Sequence, residues 1–215
     1  MLVQPWEASL DDAEWQSWIA DGHDFGQLCV NGRPGHPPVV VPTHFTSDGD
    51  HLLVHLARPN PVWTAIEHDP HVAFTVIGDY AFIPGPWRAK AGTPLADGVP
   101  TSYYATVQFS CRASIVDGPE AKAELLRRQM AHFQPDGDHA PIAVDQPPYG
   151  RMLPGIRGLH LQVTDVVAKF KYDDQKPLEH RTAVVEALTE RGQGLDVPTA
   201  RQQRRRRDRI GPWKP

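Results

Sequence analysis

Runs of alternating apolar and polar residues dominate this chain, and a helical period interrupts them only briefly. Phe25 to Asn31, Pro38 to Phe45, Leu52 to Arg58, Val72 to Ile77, Tyr103 to Val116 and Gly158 to Lys171 read as strands. In the last of these, Leu159, Leu161 and Val163 alternate with His160 and Gln162, the period of two that gives a sheet two unlike faces. Val72 to Ile77 is apolar and rich in β-branched residues, so it is expected to be buried. Pro42 takes a donor away from the second strand, which predicts an edge or a bulge there.

Four stretches carry the helical signal instead. Ser9 can cap a first helix, with Asp12 three residues on as in a capping box and Gly22 as its stop. Asn60 caps a short second helix that has Pro61 at its first position. Glu120 to Phe133 places Leu125, Leu126, Met130 and Phe133 inward, and Leu178 to Arg191 forms the last helix. Ala81 to Pro100 and Gln134 to Pro148 are rich in Pro and polar residues and read as long loops, a class that tends to be functional. Short strands joined by turns favour an antiparallel barrel over βαβ units. The expected class is α+β, mainly β. Residues 1–177 form the main domain, 178–192 a C-terminal helix packed on it, and 193–215 a basic, flexible tail.

Composition narrows this picture. The 215 residues suit one large domain, with 40% apolar and 22% charged residues, both ordinary for a soluble protein. A net charge of −4 argues against nucleic-acid binding by the surface as a whole. Arg201 to Arg209 holds six Arg and one Asp and is expected to be a solvated tail, with nucleic acid set aside as a partner. Cys29 and Cys111 form no CxxC pair, so neither a disulfide framework nor a cysteine zinc site is expected, and a reducing cytoplasm fits. No apolar run reaches about 18 residues, so no membrane span is expected. The N-terminus lacks the pattern of a signal peptide.

The chain has no G-x-G-x-x-G, Walker loop, H-E-x-x-H or G-x-S-x-G, so nucleotide-loop and elbow-hydrolase chemistry finds no motif. The stretch His55-Leu-Ala-Arg58-Pro-Asn60-Pro61-Val-Trp63 stands out. It sets an imidazole and a guanidinium at the end of an apolar strand. A fixed imidazole can ligate iron, and a guanidinium fork can hold a phosphate or carboxylate. Lys90 in the Gly/Pro loop, and Lys169 and Lys171 on the late strand, are further anion partners. Trp87, Tyr103 and Tyr104 can pack on a planar ring.

The His55 to Trp63 stretch, taken with Tyr80-Ala-Phe-Ile-Pro84, Trp87 with Lys90, Val99-Pro-Thr101, Asp117, and Lys169-Phe-Lys171 through Pro177, resembles the PaiB family of FMN-binding negative transcriptional regulators. The likeness runs over about residues 20 to 190. It implies a split β-barrel, a homodimer, and a cofactor pocket near the subunit interface. The family also includes haem-dependent piperazate synthases, which join two nitrogens of N5-hydroxyornithine. His55 best matches their haem ligand. Two readings follow. In the first, haem b is bound by His55, while Arg58, Trp87, Lys90 and Lys171 surround the cofactor and Lys90, Tyr103 or Tyr104 serves as base. In the second, FMN fills the pocket of a redox protein or regulator.

Overall fold

The computed structural model describes residues 1–211. Its elements, in chain order, are helix α1 (Asp12–Ala20), strands β1 (Phe25–Val30), β2 (Val39–His44), β3 (Thr46–Asp48) and β4 (His51–Ala57), helix α2 (Val62–His68), strands β5 (His71–Ile83) and β6 (Thr101–Val116), helices α3 (Pro119–Phe133) and α4 (Tyr149–Met152), strand β7 (Ile156–Lys171), and helices α5 (Leu178–Arg191) and α6 (Asp196–Ile210). The strands form a single antiparallel sheet in the order β2-β1-β5-β6-β7-β4-β3. β2 is an edge, which is where Pro42 can sit without breaking a ladder.

The residues gather into two compact units. The first holds residues 1–21, 77–107 and those from Val167 onward; the second holds 22–76 and 108–166. β5, β6 and β7 each contribute to both. In the second unit, Phe45 packs edge-on against Phe74 at 4.9 Å and against Phe109 at 6.5 Å, inside a core with Leu28, Val54, Val62 and Leu159. In the first unit, Trp18 meets Phe170 edge-on at 6.1 Å, and Val184, Val185 and Leu188 of α5 are buried.

Sequence and structure differ in several elements. β5 runs on to Ile83, so the Gly/Pro loop begins at Pro84 rather than Ala81. α1 is capped by Asp11, whose side chain accepts from the Glu14 amide, while Ser9 donates to the Asp11 carbonyl. The largest difference lies in the basic segment. Instead of fraying, residues 196–210 form α6. The physical reason is the spacing of its arginines. Arg201, Arg205 and Arg209 recur every fourth residue, and they pair with Asp21, Asp21 and Asp11. Arg206 faces inward, 1% exposed, and is bound by Glu14 at 2.6 Å and Asp174 at 2.7 Å. The segment's charge is thus largely spent within the first unit. Residues 212–215 of the expected tail lie outside the described residues. No helix among the described residues is long and apolar enough to cross a membrane.

Candidate functional site

β4 delivers His55 to the underside of α3. The strand alternates, so His55 shares a face with Leu53, and β7 places Gly158 directly opposite it. A Cβ at Gly158 would come within 2.8 Å of the Leu125 side chain, so the missing side chain lets α3 approach closely. One turn beyond Leu125, Gln129 lies 2% exposed and reaches the strand. Its Nε2 donates to the Leu53 carbonyl at 3.0 Å, and its Oε1 lies 2.6 Å from His55 Nδ1.

This pair of contacts sets the histidine tautomer. The Leu53 carbonyl can only accept, so the amide must turn its NH₂ toward it. The Gln129 oxygen then faces His55 and needs a donor, which makes Nδ1 the protonated nitrogen. In the neutral ring the lone pair is then on Nε2, for which no hydrogen-bond partner exists among the described residues. A carbonyl-type acceptor on one ring nitrogen is the arrangement that orients a ligating imidazole. Beside it, the His44 ring lies edge-on at 5.2 Å and is itself flanked by Phe133 at 5.0 Å. Burial and then the His55 ring hold the His44 pKa below its usual value, against a smaller opposite pull from Asp24.

Arg58 follows β4 but is already engaged. Its Nε donates to the Pro154 carbonyl at 2.8 Å, and its two terminal nitrogens grip Asp117 at 3.3 and 2.5 Å. The Arg58 hydrogen bonds hold the Asp117 carboxyl below the usual range. An incoming oxyanion at Arg58 therefore has to compete with Asp117. Trp63 is 4% exposed and donates to the Ala57 carbonyl at 3.0 Å, so it packs, and Asn60 accepts from the Val62 amide but stands one residue before the cap, a place taken by Pro61.

The other expected site residues belong to the first unit. Tyr103 is fully buried and donates to Asp173 at 3.2 Å. Burial, then the Asp173 charge, pushes its phenol pKa far above normal. It can give a hydrogen bond but cannot accept a proton near neutral pH while Asp173 holds its hydroxyl. Tyr104 is part-exposed, with Lys169 and Lys171 at 5.7 and 5.8 Å from its ring. Lys169 is tied to Glu7 at 3.0 Å. Lys171 donates to the Thr101 hydroxyl at 3.0 Å and has no carboxylate partner among the described residues. Lys90 lines a cleft of about 330 Å³ with Arg88, Thr93, Asp97, Val99 and Lys176. Trp87 sits on the short turn Gly85–Arg88, with the Arg191 guanidinium 4.7 Å from its ring.

The structure thus brings Tyr104 and Lys171 together, and sets Trp87 and Lys90 on one loop of the same unit. His55 and Arg58 lie in the second unit. Gln129 and His44 were not singled out from the sequence. Gln129 did carry a signal, since it falls on the inward stripe of α3 with Leu125 and Leu126, where a polar residue needs a partner. No group of three or more His, Cys, Asp or Glu residues suited to a bare metal ion occurs among the described residues. A lone imidazole suits iron whose equatorial positions are filled by a macrocycle.

The family model described as "Putative FMN-binding domain" matches residues 1–165. No curated protein matches the sequence. Among solved structures, the flavocytochrome Anf3 of Azotobacter vinelandii is similar, with a TM-score of 0.60 at 20% identity, over 79% of this chain and 72% of that one. An FAD and heme binding protein from Mycobacterium smegmatis gives a TM-score of 0.56 at 17% identity, over 76% and 73%. These likenesses show the split β-barrel fold.

Proposed function

Because the chain belongs to the FMN-binding domain family, whose model spans residues 1–165, we propose that it is a haem protein built on that family's split barrel, with His55 as the iron ligand. The observation that carries this reading is the Leu53–Gln129–His55 relay, which protonates Nδ1 and leaves Nε2 as a ligand. The fold is compatible with it. The solved protein from Mycobacterium smegmatis binds FAD and heme, and the one from Azotobacter vinelandii is a flavocytochrome.

The reaction proposed is the cyclisation of an N-hydroxylated diamino acid of the N5-hydroxyornithine type. The free amine nitrogen bonds to the hydroxylamine nitrogen, the N–O bond breaks, and the oxygen leaves as water, with no external oxidant or reductant. Bound at His55, haem supplies a Lewis acid for the hydroxylamine oxygen. Gln129 keeps the imidazole ring oriented throughout. In the first unit, Lys171, which has no carboxylate partner among the described residues, and Lys90 offer positive charge for an anionic group. Tyr103 is not the base that takes the amine proton, since its hydroxyl is held by Asp173. The reading includes a second copy of the chain as partner. Ile77, Tyr80 and Phe82 of β5 are 60%, 51% and 50% exposed, apolar surface of the kind a partner covers.

FMN is the second reading, favoured by the family model itself and by Lys171, Thr101 and Lys90 as phosphate contacts. An absorption spectrum separates the two. Titration of the purified protein with haemin should give a sharp Soret band at one equivalent. Flavin bands from the protein as purified, with no Soret band after haemin, would replace the haem reading by the flavin one.

A further inference from the structure

The Gly/Pro loop is fastened by residues that lie beyond the stretch matching the family. At the end of α5, Arg191 donates from Nε and Nη2 to the two carboxylate oxygens of Asp196, each at 2.7 Å. Asp196 is 2% exposed and opens α6, where it also accepts from the Gln193 amide at 3.0 Å. Gly192 ends α5 at φ +58°, in the left-handed region that lets the chain reverse there. Held in this way, the same guanidinium donates from Nη2 to the Phe82 carbonyl at 2.9 Å and lies 4.7 Å from the centre of the Trp87 ring. One planar fork makes all three contacts, which a lysine cannot do.

A second tie meets the loop from the same side of the sequence. Arg88, next to Trp87, is gripped by both oxygens of Asp173 at 2.9 and 3.2 Å and donates to the Val99 carbonyl. The loop's two ends also touch, since a Cβ on Gly98 would fall 1.8 Å from the Gly85 carbonyl oxygen. Trp87 therefore meets Arg191 and is followed in the chain by Arg88, and each arginine is fixed by a buried carboxylate.

We infer that Arg191 is a positioning residue for Trp87, so that the helical hairpin α5–α6 sets the pose of the loop that the cofactor meets. This rests on the FMN reading above, which places the cofactor in the first unit with Lys90 and Trp87. The hairpin is then part of the working site although it lies outside the family match.

Two measurements on the full-length protein test this. The first is amide hydrogen exchange over residues 84–99 without cofactor, in the parent and in Arg191→Ala. Exchange there should rise about tenfold or more while β1 is unchanged, the local opening expected of a released loop. The second is a double-mutant cycle on FMN affinity with Arg191→Ala and Trp87→Phe. Arg191→Ala should weaken FMN binding by about fivefold, and have no further effect once Trp87 is Phe, as coupled neighbours do. Unchanged exchange, or affinities that simply add, overturns the inference. Should FMN not bind the parent, the FMN reading fails and exchange alone decides the clamp. If Arg191→Ala does not fold, Asp196→Asn, which loosens the anchor, takes its place in both measurements.

Discussion

Replacing Arg206 by Met tests whether α6 is an integral part of the first unit. The side chain is 1% exposed, and its partners Glu14 and Asp174 are 4% and 0% exposed. It also donates to the Ala8 carbonyl at 3.0 Å and stacks 5.0 Å from the Phe170 ring centre. Met fills much of the volume but leaves Glu14 buried without its cation and Asp174 with only Arg181, 3.9 Å away. Breaking a buried pair from one side costs about 3–5 kcal/mol, whereas an exposed pair is worth about 0–1 kcal/mol. Burial already pushes the Asp174 carboxyl above its usual pKa even with Arg206 present. Without Arg206 that pKa rises further, so the variant should recover stability as pH falls. The assay is urea unfolding at pH 7 and pH 5, with Arg209→Ala as the control for an exposed pair. A loss under about 1 kcal/mol for Arg206→Met, equal to the control, would refute the docked helix.

Gln129→Leu keeps the size of the side chain but removes the acceptor on His55 Nδ1, and should weaken haem binding by about 10–100-fold with a smaller effect on the melting temperature; equal affinity by haemin titration would separate the relay from the site. The Arg191–Asp196 pair should also report on acid. Asp196 has its pKa lowered first by the Arg191 hydrogen bond, so the contribution is intact above the ordinary carboxylate range and is lost as pH falls through the lower folded value. Exchange over residues 84–99 should accordingly stay slow down to about pH 4 and rise only below it; a rise at pH 5–6 would contradict the pairing. Cysteine labelling should be selective. Burial pushes the Cys111 thiol up to about 12, so iodoacetamide at pH 8 should spare Cys111 in the folded protein, while part-exposed Cys29 reacts slowly. Labelling of both at equal rates would mean the β6 core opens.

Much of the sheet was legible because alternation alone determines it. Leu159, Leu161 and Val163 against His160 and Gln162 marked β7, and Pro42 marked β2 as an edge or a bulge, of which the structure shows the edge. The far half of β5 was hidden by Tyr80, Phe82 and Pro84, whose neighbourhood looks like loop when read locally. α6 was hidden for another reason. Six arginines in nine positions read as solvated charge unless one asks which acids can answer them, and those acids, Asp11, Glu14, Asp21 and Asp174, are distant in sequence. Of the candidate site, His55 could be picked out by its strand, but its orienting partner could not, because Gln129 reaches it across 74 positions. Arg58 shows the converse. Its residue type suggested an anion clamp, and only the fold reveals Asp117 already in its fork.

The haem reading turns on whether His55 Nε2 binds iron. The most direct test is the spectrum of haemin-loaded His55→Ala with and without added imidazole. The Soret band should be lost or displaced in the variant and return when imidazole fills the space left by the side chain. A Soret band in His55→Ala identical to the parent's, and indifferent to imidazole, would contradict that reading.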